Sequence, residues 1–239
     1  MEQTSKVKGV VDIVFLIDAT GSMSHCIDAL KENISKFIDS LTGSDPNNTM
    51  PVKHWRGKVV GYRDYLCDKV PLVDNLFVED ATSLKSQLSA LQAEGGGDEP
   101  ESLLDGLYKV ATQEQMEKGE QDLDPRKWRY RSDAARVVVA FTDASYHPNM
   151  TVCSGTVDDV ISALHANRII LSLYAPEMDC HHEIARANRS EFFGIPYDTA
   201  DSTGPQTALK AFTSDQANFR KTMEMLAKSV SQSAGVPLD

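Results

Sequence analysis

The sequence predicts an α/β fold in which a mostly parallel sheet is covered by helices on both faces. Two observations carry this prediction. Apolar runs rich in β-branched residues, "VVDIVFLID" and "ARVVVAF", have the length and composition of strands buried on both faces. Stretches with apolar residues three and four positions apart, typical of amphipathic helices, lie between such runs. Regular alternation of strands and helices indicates parallel strands joined by crossover helices.

The elements of the first half follow in chain order. The first strand, residues 10–18, is followed by a helix from about His25, which "TGSDPNN" ends. "WRGKVVGYRDY" predicts the second strand, and "LFVED" predicts a short third strand at the sheet edge. "TSLKSQLSALQ" predicts a helix capped by Thr82 or Ser83. The helix after "AEGGGDEP" would carry Pro100 in its first turn.

The second half continues the alternation. "ARVVVAFTDAS" predicts another buried strand, "RIILSLYAP" the next, and "GIPYDT" a last one. Apolar spacing predicts helices at residues 157–164 and 219–230, and "HHEIARANRSEF" predicts one between them. Residues 119–132 are interpreted as an inserted loop. Because neither a repeat nor a linker is visible, we expect a single domain over residues 1–239, with its core at about 10–230.

Composition restricts the partners. The 239 residues are 41% hydrophobic and carry a formal net charge of -11, which disfavours nucleic acid and anionic membranes as partners. The basic run "DPRKWRYR" is interpreted as a solvated face. The chain has neither an apolar stretch of about 18–20 residues nor a secretory h-region, and its four cysteines have no C-x-x-C spacing. We therefore expect a cytoplasmic protein with reduced thiols.

Oxygen-bearing side chains gather in three loops that follow predicted strands. The loops are 18–22, 95–98 and 142–145, and the carboxyl ends of parallel strands meet at one edge of a sheet. In "DATGS", Asp18, Thr20 and Ser22 are spaced to turn towards one point. Carboxylates and hydroxyls without imidazole or thiolate suit Mg²⁺, Mn²⁺ or Ca²⁺ better than zinc. The same residue types are also ordinary turn and helix-cap residues, so both interpretations stay open here.

Four segments together resemble a known family. "DATGS" resembles the D-x-[ST]-x-S signature of the von Willebrand factor A domain, in which such loops form a metal-ion-dependent adhesion site. "VVVAFTDAS" is similar to the family's fourth buried strand, and "GGGDEPESLLDGL" resembles the loop and helix that supply the middle ligand. The last segment and "VVGYRDY" look most like the α-kinase-related and hemicentin-like members. The resemblance covers roughly residues 10–230.

The resemblance implies a fold and a site. The fold would be a three-layer, doubly wound, Rossmann-like sheet with one antiparallel edge strand. Thr20 and Ser22 would bind Mg²⁺ (or Mn²⁺ or Ca²⁺) through their hydroxyls, Asp18 directly or through water, and Asp143 from the third loop. Many members have a middle-loop Thr where this chain has Asp98, which leaves open whether Asp98 binds the metal directly, through water, or only caps the next helix.

The family resemblance also implies what the site would do. Family members usually bind a carboxylate from a partner protein, which completes the coordination of the metal. We therefore expect a metal-dependent binding module, without catalysis, for a protein that presents an acidic residue. Family members without a signal peptide often act inside cells as signalling scaffolds. A structural module whose metal site is filled but unused is one alternative.

Other interpretations are weaker. A phosphohydrolase of the haloacid-dehalogenase type would need a carboxylate where the chain has Thr20, and a lysine near Asp143. A zinc site at His181 and His182 lacks ligand spacing, so these residues are interpreted as a surface helix start. Arg63 and Asp64, at the end of the second strand, would stabilise a loop, support the metal from outside, or contact a partner.

Overall fold

The computed structural model describes residues 9–43, 51–97 and 99–235. Within these residues, six strands form one sheet: β1 (Val10–Asp18), β2 (His54–Tyr62), β3 (Leu72–Asp74), β4 (Ala135–Phe141), β5 (Ile169–Pro176) and β6 (Ser190–Ile195). Their spatial order is β3-β2-β1-β4-β5-β6. Every neighbouring pair is parallel except β2 and β3, so β3 is an antiparallel edge strand. The predicted sheet type, with one antiparallel edge strand, is confirmed.

Helices cover both faces of this sheet. The described residues contain α1 (Ser24–Thr42), α2 (Ala81–Ala90), α3 (Leu103–Ala111), α4 (Val157–Ala166), α5 (Asp179–Ile184), α6 (Gly204–Ser214) and α7 (Gln216–Gly235). Alternate residues of β1 point to opposite faces. Ile13 and Phe15 pack in a core with α1, α2, α6 and α7, whereas Val14 and Leu16 pack in a core with α3, α4 and α5. The three-layer architecture follows from this burial on both faces.

The strand order reverses direction beside β1. β1 lies between β2 and β4 in parallel register, so that Ile17 is opposite both Gly61 and Phe141. The helix after β1 packs on one face and the helix after β4 on the other. Such a switch point opens a crevice at the carboxyl ends of the two strands, which is where ligands bind in doubly wound folds.

Several boundaries in the first half differ from the predictions. The third strand is Leu72–Asp74 rather than "LFVED", in which Val78 makes only an isolated bridge to Gly57. Helix α2 is capped by Asp80, whose Oδ1 accepts a hydrogen bond from the Ser83 backbone at 2.8 Å, rather than by Thr82 or Ser83 themselves. Helix α3 begins at Leu103, so Pro100 lies before the helix rather than in its first turn.

The second half contains larger differences. The predicted helix in "HHEIARANRSEF" is only the six residues of α5, and Arg189 takes a left-handed backbone (φ 66°) just before β6. β6 therefore covers "SEFFGI" and begins earlier than the predicted strand "GIPYDT". Helix α6 was not predicted at all. It begins with a Gly-Pro pair that resembles a turn in sequence, and proline is tolerated in the first helical turn.

The inserted loop is partly a core element. Trp128 is fully buried, packs against Phe77, and donates from its indole nitrogen to the Val110 carbonyl at 2.9 Å. Arg129 is also buried, whereas the side chain of Arg126 is 76% exposed. The interpretation of "DPRKWRYR" as a solvated face is therefore wrong for its central residues, because Trp128 and Arg129 are buried.

Two further observations concern the cysteines and the length of the apolar helices. All four cysteines, Cys26, Cys67, Cys153 and Cys180, are free thiols, as expected from their spacing. Among the residues that the structure describes, no helix has both the length and the apolar composition that a bilayer crossing requires.

Candidate metal centre

The first and third predicted loops meet at the switch point. Asp18 is the last residue of β1 and is fully buried, while Thr142 and Asp143 directly follow β4. The parallel register of the two strands places these residues side by side. The Thr142 hydroxyl donates to Asp18 Oδ2 at 2.9 Å, which ties the two loops together.

The first loop is organised around the Asp18 carboxylate. Its Oδ1 accepts hydrogen bonds from the backbone N–H of Thr20 at 3.0 Å and from the Thr20 hydroxyl at 2.7 Å. The hydroxyl oxygens of Thr20 and Ser22 lie 3.4 Å apart. Because Thr20 gives its proton to Asp18, the lone pairs of its oxygen are free to face a cation. The structure therefore places the hydroxyls of Thr20 and Ser22 next to each other beside Asp18.

Asp143 supplies a second carboxylate to this edge of the sheet. Its side chain is hydrogen-bonded by Ser22, but Oδ1 is buried without a hydrogen-bond partner. Burial raises the pKa of Asp143 to about 7, and the nearby negative charge of Asp18 adds to the rise. Burial likewise raises the pKa of Asp18. Two buried carboxylates whose ionised forms are disfavoured fit a divalent cation, which would restore their ionisation.

The glycine-rich middle loop packs onto the first loop. The Gly21 N–H donates to the Gly95 carbonyl at 3.4 Å, and the Gly96 N–H donates to Asp68 Oδ2 at 3.0 Å. Gly96 has a left-handed backbone (φ +91°), and a Cβ there would approach Thr20 Cβ to 2.7 Å. This loop therefore requires glycine at Gly96. Asp98, predicted as the middle ligand, lies outside the described residues.

A carboxylate that the sequence reasoning missed lies beside this loop. Glu101 is 5% exposed, and its Oε2 is buried without a hydrogen-bond partner. Burial raises the pKa of Glu101 to about 9, with further contributions from carboxylates that include Asp18 and Asp143. The segment "GGGDEPE" contained this residue, but only Asp98 in it was assigned to the metal. Because the sequence placed Glu101 in the first turn of a helix, it gave no sign that this side chain lines the cleft.

Hydroxyls and carboxylates line the cleft that results. Its volume is about 260 Å³, and its lining includes Thr20, Ser22, Glu99, Glu101, Asp143 and Gln206. None of the described lining residues is Lys or Arg. Within the described residues, no group of three or more carboxylate, imidazole or thiol side chains is placed to hold a metal ion. A cation at this edge would therefore depend on the hydroxyls of Thr20 and Ser22 as well as the carboxylates.

Arg63 and Asp64 fasten the loops around the cleft. Arg63 is buried and donates to the backbone carbonyls of Ala19 (3.3 Å) and Gln92 (2.9 Å). Asp64 Oδ1 accepts from the Ser102 hydroxyl and lies 3.1 Å from His147 Nε2. Of the functions considered for these two residues, loop stabilisation is the one that these contacts support.

The two adjacent histidines do not form a zinc site. His181 is fully buried, and its two ring nitrogens contact the carbonyls of Pro176 (2.8 Å) and Ala144 (3.2 Å). The side chain of His182 is 53% exposed and contacts Glu177. A surface position is therefore wrong for His181 and right for His182. His181 instead packs under the loop that carries Asp143.

A family model matches one part of the chain. Residues 12–120 match the family model described as the von Willebrand factor A domain. The fold is von Willebrand A-like. The matched span includes the first loop, the glycine-rich loop and Glu101, all of which border the cleft.

Two solved structures of larger proteins have a similar fold. Proximal thread matrix protein 1 from the mussel byssus aligns with a TM-score of 0.52 and 15% identity, over 90% of this chain and 47% of that one. The pilus adhesin SpaC from Lactobacillus rhamnosus GG aligns with a TM-score of 0.51 and 12% identity, over 93% and 31%. At these identities the likeness concerns the fold alone.

One curated relative shares more sequence over a shorter span. A "putative ariadne-like RING finger protein" of Acanthamoeba polyphaga mimivirus is 32% identical over 95 residues, which is 40% of this chain and 9% of that protein. The chain spans less than half of the length of each of these three proteins.

Proposed function

We propose that the protein is a divalent-cation-dependent protein-binding module. Asp18, Thr20, Ser22 and Asp143 would hold Mg²⁺, or Mn²⁺ or Ca²⁺, with Asp98 as a candidate from the middle loop. The observation that carries the proposal is the buried, unpartnered Oδ1 of Asp143 beside the buried Asp18, without a described basic residue in the cleft. A buried carboxylate is normally paired or bound to a metal.

The ligand chemistry suggests the kind of partner. When bound, the cation would act as a Lewis acid that accepts a further oxygen ligand from outside the chain. An acidic residue of a partner protein would supply such an oxygen, as the family resemblance implies. Arg63 and Asp64 would keep the loops in place for this contact, since both are fixed by hydrogen bonds to neighbouring segments.

The two alternatives predict different behaviour. A structural module would bind the cation with the same residues but would not retain a partner through it. A phosphohydrolase would need a catalytic carboxylate two residues after Asp18, where Thr20 instead hydrogen-bonds Asp18. Turnover of a generic phosphoester that disappears in Asp18→Asn would favour the phosphohydrolase.

The test is the unfolding temperature with and without cation. Because ligand binding to the native state alone stabilises it, Mg²⁺ or Mn²⁺ at about 100 times its Kd contributes about 2.7 kcal/mol. For a domain of this size, we expect the melting temperature to rise by roughly 5–10 °C. Asp18→Ala should abolish this rise, as measured by differential scanning calorimetry after treatment with a chelator.

A matched control separates the site from general effects of charge. Asp158 is an exposed carboxylate on α4, paired only with the exposed Arg186. Asp158→Asn should keep the full response to the cation. If added metal and chelator leave the unfolding curve of the unmodified protein unchanged, the protein has no such metal site.

A further inference from the structure

We propose that a small basic pocket at the amino ends of β5 and β6 binds a phosphate group carried by a partner protein. The pocket, called the arginine pocket, lies between the end of α4 and the start of β6. Its described lining residues are Leu164, His165, Arg168, Ile169, Asn188 and Arg189. Asp18 and Asp143 lie at the carboxyl ends of their strands, so the arginine pocket is at the opposite edge of the sheet. It is a second site, beyond the proposed function.

The charges that line the arginine pocket favour an anion. Both charged residues of the described lining, Arg168 and Arg189, are positive, and none is Asp or Glu. The chain as a whole has the opposite sign, with a formal net charge of -11. Arginine suits phosphate because its planar guanidinium can donate two parallel hydrogen bonds to the oxygens. The pocket therefore has the chemistry of an oxyanion site in a protein that otherwise repels anions.

The backbone gives an independent reason to assign a function to these two arginines. Both take a left-handed conformation, with φ 52° at Arg168 and φ 66° at Arg189. Among the described non-glycine residues, only Ser154 also has a positive φ. This conformation is strained for a residue with a Cβ, and strained residues gather at ligand sites. Glycine would take either turn at lower cost, so the turn geometry does not explain an arginine at both positions.

A hydrogen bond joins the two segments of the pocket and defines a further donor. The backbone N–H of Asn188 donates to His165 Nε2 at 2.5 Å. Because Nε2 accepts this bond, the proton of the neutral imidazole is on Nδ1. His165 thus keeps an N–H donor among the residues that line the pocket. The Arg168 N–H donates to the His165 carbonyl at 3.0 Å, which fixes the turn that carries both side chains.

Other arginines near this turn are used to stabilise the helix end. Arg131 donates to the Ala166 carbonyl at 3.2 Å, and Arg136 donates to the Asn167 carbonyl at 3.3 Å. These bonds satisfy carbonyls at the end of α4. Arg189, by contrast, is exposed and forms no ion pair with any described residue. Its guanidinium is therefore available to a ligand, beside further positive charge at the same helix end.

Size and charge favour a phosphate group on a protein. The volume of the arginine pocket is about 180 Å³, below the roughly 300–1,000 Å³ of sites for drug-sized ligands, so it fits one small group rather than a nucleotide. A phosphorylated serine carries a charge of about −1.5 to −2 at pH 7 and three acceptor oxygens, which match several N–H donors. An anionic membrane would instead approach the whole acidic surface and be repelled by it.

The test is the affinity for a fluorescent, glycine-rich peptide that carries one phosphoserine, measured by fluorescence anisotropy. We expect the protein to bind this peptide and not its unphosphorylated form. Arg168→Gln and Arg189→Gln should each weaken binding at least about tenfold, because each removes charged hydrogen bonds to the phosphate. Arg186→Gln is the matched control. Arg186 is exposed and pairs with Asp158 outside the pocket, so its removal should weaken binding by less than about threefold.

A glycine variant separates a ligand role from a structural one. Arg189→Gly relieves the left-handed strain and removes the guanidinium. We expect it to lose the phosphopeptide while its melting temperature is no lower than that of the unmodified protein. This variant also provides the test if the glutamine variants do not fold. Asp18→Ala should bind the phosphopeptide as tightly as the unmodified protein, since the cation cleft is at the opposite edge of the sheet.

Four outcomes would overturn the inference. Either no binding of the phosphopeptide to the unmodified protein, or equal affinities of Arg186→Gln and Arg189→Gln, would exclude a phosphate site in the arginine pocket. A lower melting temperature of Arg189→Gly with binding retained would make Arg189 structural. Inorganic phosphate that binds as tightly as the peptide would make the ligand a free anion. Binding of vesicles that contain phosphoinositides, without binding of the phosphopeptide, would make the site one for a lipid headgroup.

Discussion

At the scale of single residues, Gly96 allows two segments of the chain to meet at the cleft. Its left-handed backbone and its missing Cβ let the side chains of Thr20 and Glu101 both approach it closely. The sequence predicted that "GGG" lies in a loop but could not show that Gly96 is required, because this depends on its contact with Thr20, far away in the chain. Gly119 also has a left-handed backbone, but a Cβ there would meet nothing within 4 Å.

This pair of glycines gives a matched prediction. Gly119→Ala should cost about 1–2 kcal/mol of unfolding free energy from backbone strain alone and leave Mn²⁺ affinity unchanged. Gly96→Ala should cost more and weaken Mn²⁺ binding about tenfold, since the new methyl group displaces two side chains of the site. Urea denaturation and calorimetric titration measure the two effects. Equal Mn²⁺ affinity in the two variants would contradict the positioning role of Gly96.

At the scale of elements, one buried carboxylate joins strands to the inserted loop. Asp12 in β1 accepts two hydrogen bonds from the Arg56 side chain of β2, at 3.0 and 2.7 Å. It also accepts from the backbone N–H (2.7 Å) and the side chain (3.1 Å) of Arg129. All four oxygen–nitrogen contacts are buried, at the edge of the sheet opposite the cleft. The ion cluster therefore fixes the inserted loop beneath β1 and β2.

Breaking this cluster should destabilise the whole fold. Asp12→Ala would remove the buried counter-charge of Arg56 and Arg129 and leave Arg129 only the exposed Glu79, and breaking a buried ion pair in this way typically costs about 3–5 kcal/mol. Asp158→Ala removes an exposed ion pair and should cause only a small fraction of that loss. Equilibrium urea unfolding compares the two. A loss at Asp12→Ala no larger than at Asp158→Ala would mean that the cluster contributes little net stability.

At the scale of the whole molecule, acidification should lower the free energy of unfolding in part through protonation of His181. Burial lowers the pKa of His181, against the opposing effect of its contacts with the Pro176 and Ala144 carbonyls. The unfolded chain therefore binds a proton more readily than the native state. The stability that neutral His181 provides is present above the unfolded pKa of about 6.5 and is lost as the pH falls below it.

We expect the unfolding free energy of the His181→Gln variant to depend less on pH than that of the unmodified protein. Between pH 7.5 and 5, the unfolding free energy of His181→Gln should fall less steeply than that of the unmodified protein, by at most about 1.4 kcal/mol per pH unit. His182→Gln, at the exposed neighbour, should keep the original slope. Glu101 and Asp143 have raised pKa values and contribute with the opposite sign, so only the difference isolates His181. Identical slopes in all three proteins would refute the prediction.

Local signals in the sequence determined the sheet and the edge at which two of the proposed ligands lie. Long β-branched runs such as residues 10–18 predicted buried parallel strands, because a strand covered on both faces has no polar alternation. The same rule placed Asp18 and Asp143 at one edge of the sheet. Short elements were predicted poorly: β3 has three residues and α5 has six, so neither offers enough periodicity to be recognised.

The tertiary structure alone decided which further residues face the cleft and the core. Glu101 lines the cleft because its backbone pairs with the Ser145–His147 segment, more than forty residues later in the chain. Asp12, which reads as an interruption of an apolar strand, is buried because Arg56 and Arg129 surround it. Contacts between distant segments set the burial and charge of each side chain, whereas local periodicity sets only the element on which it lies.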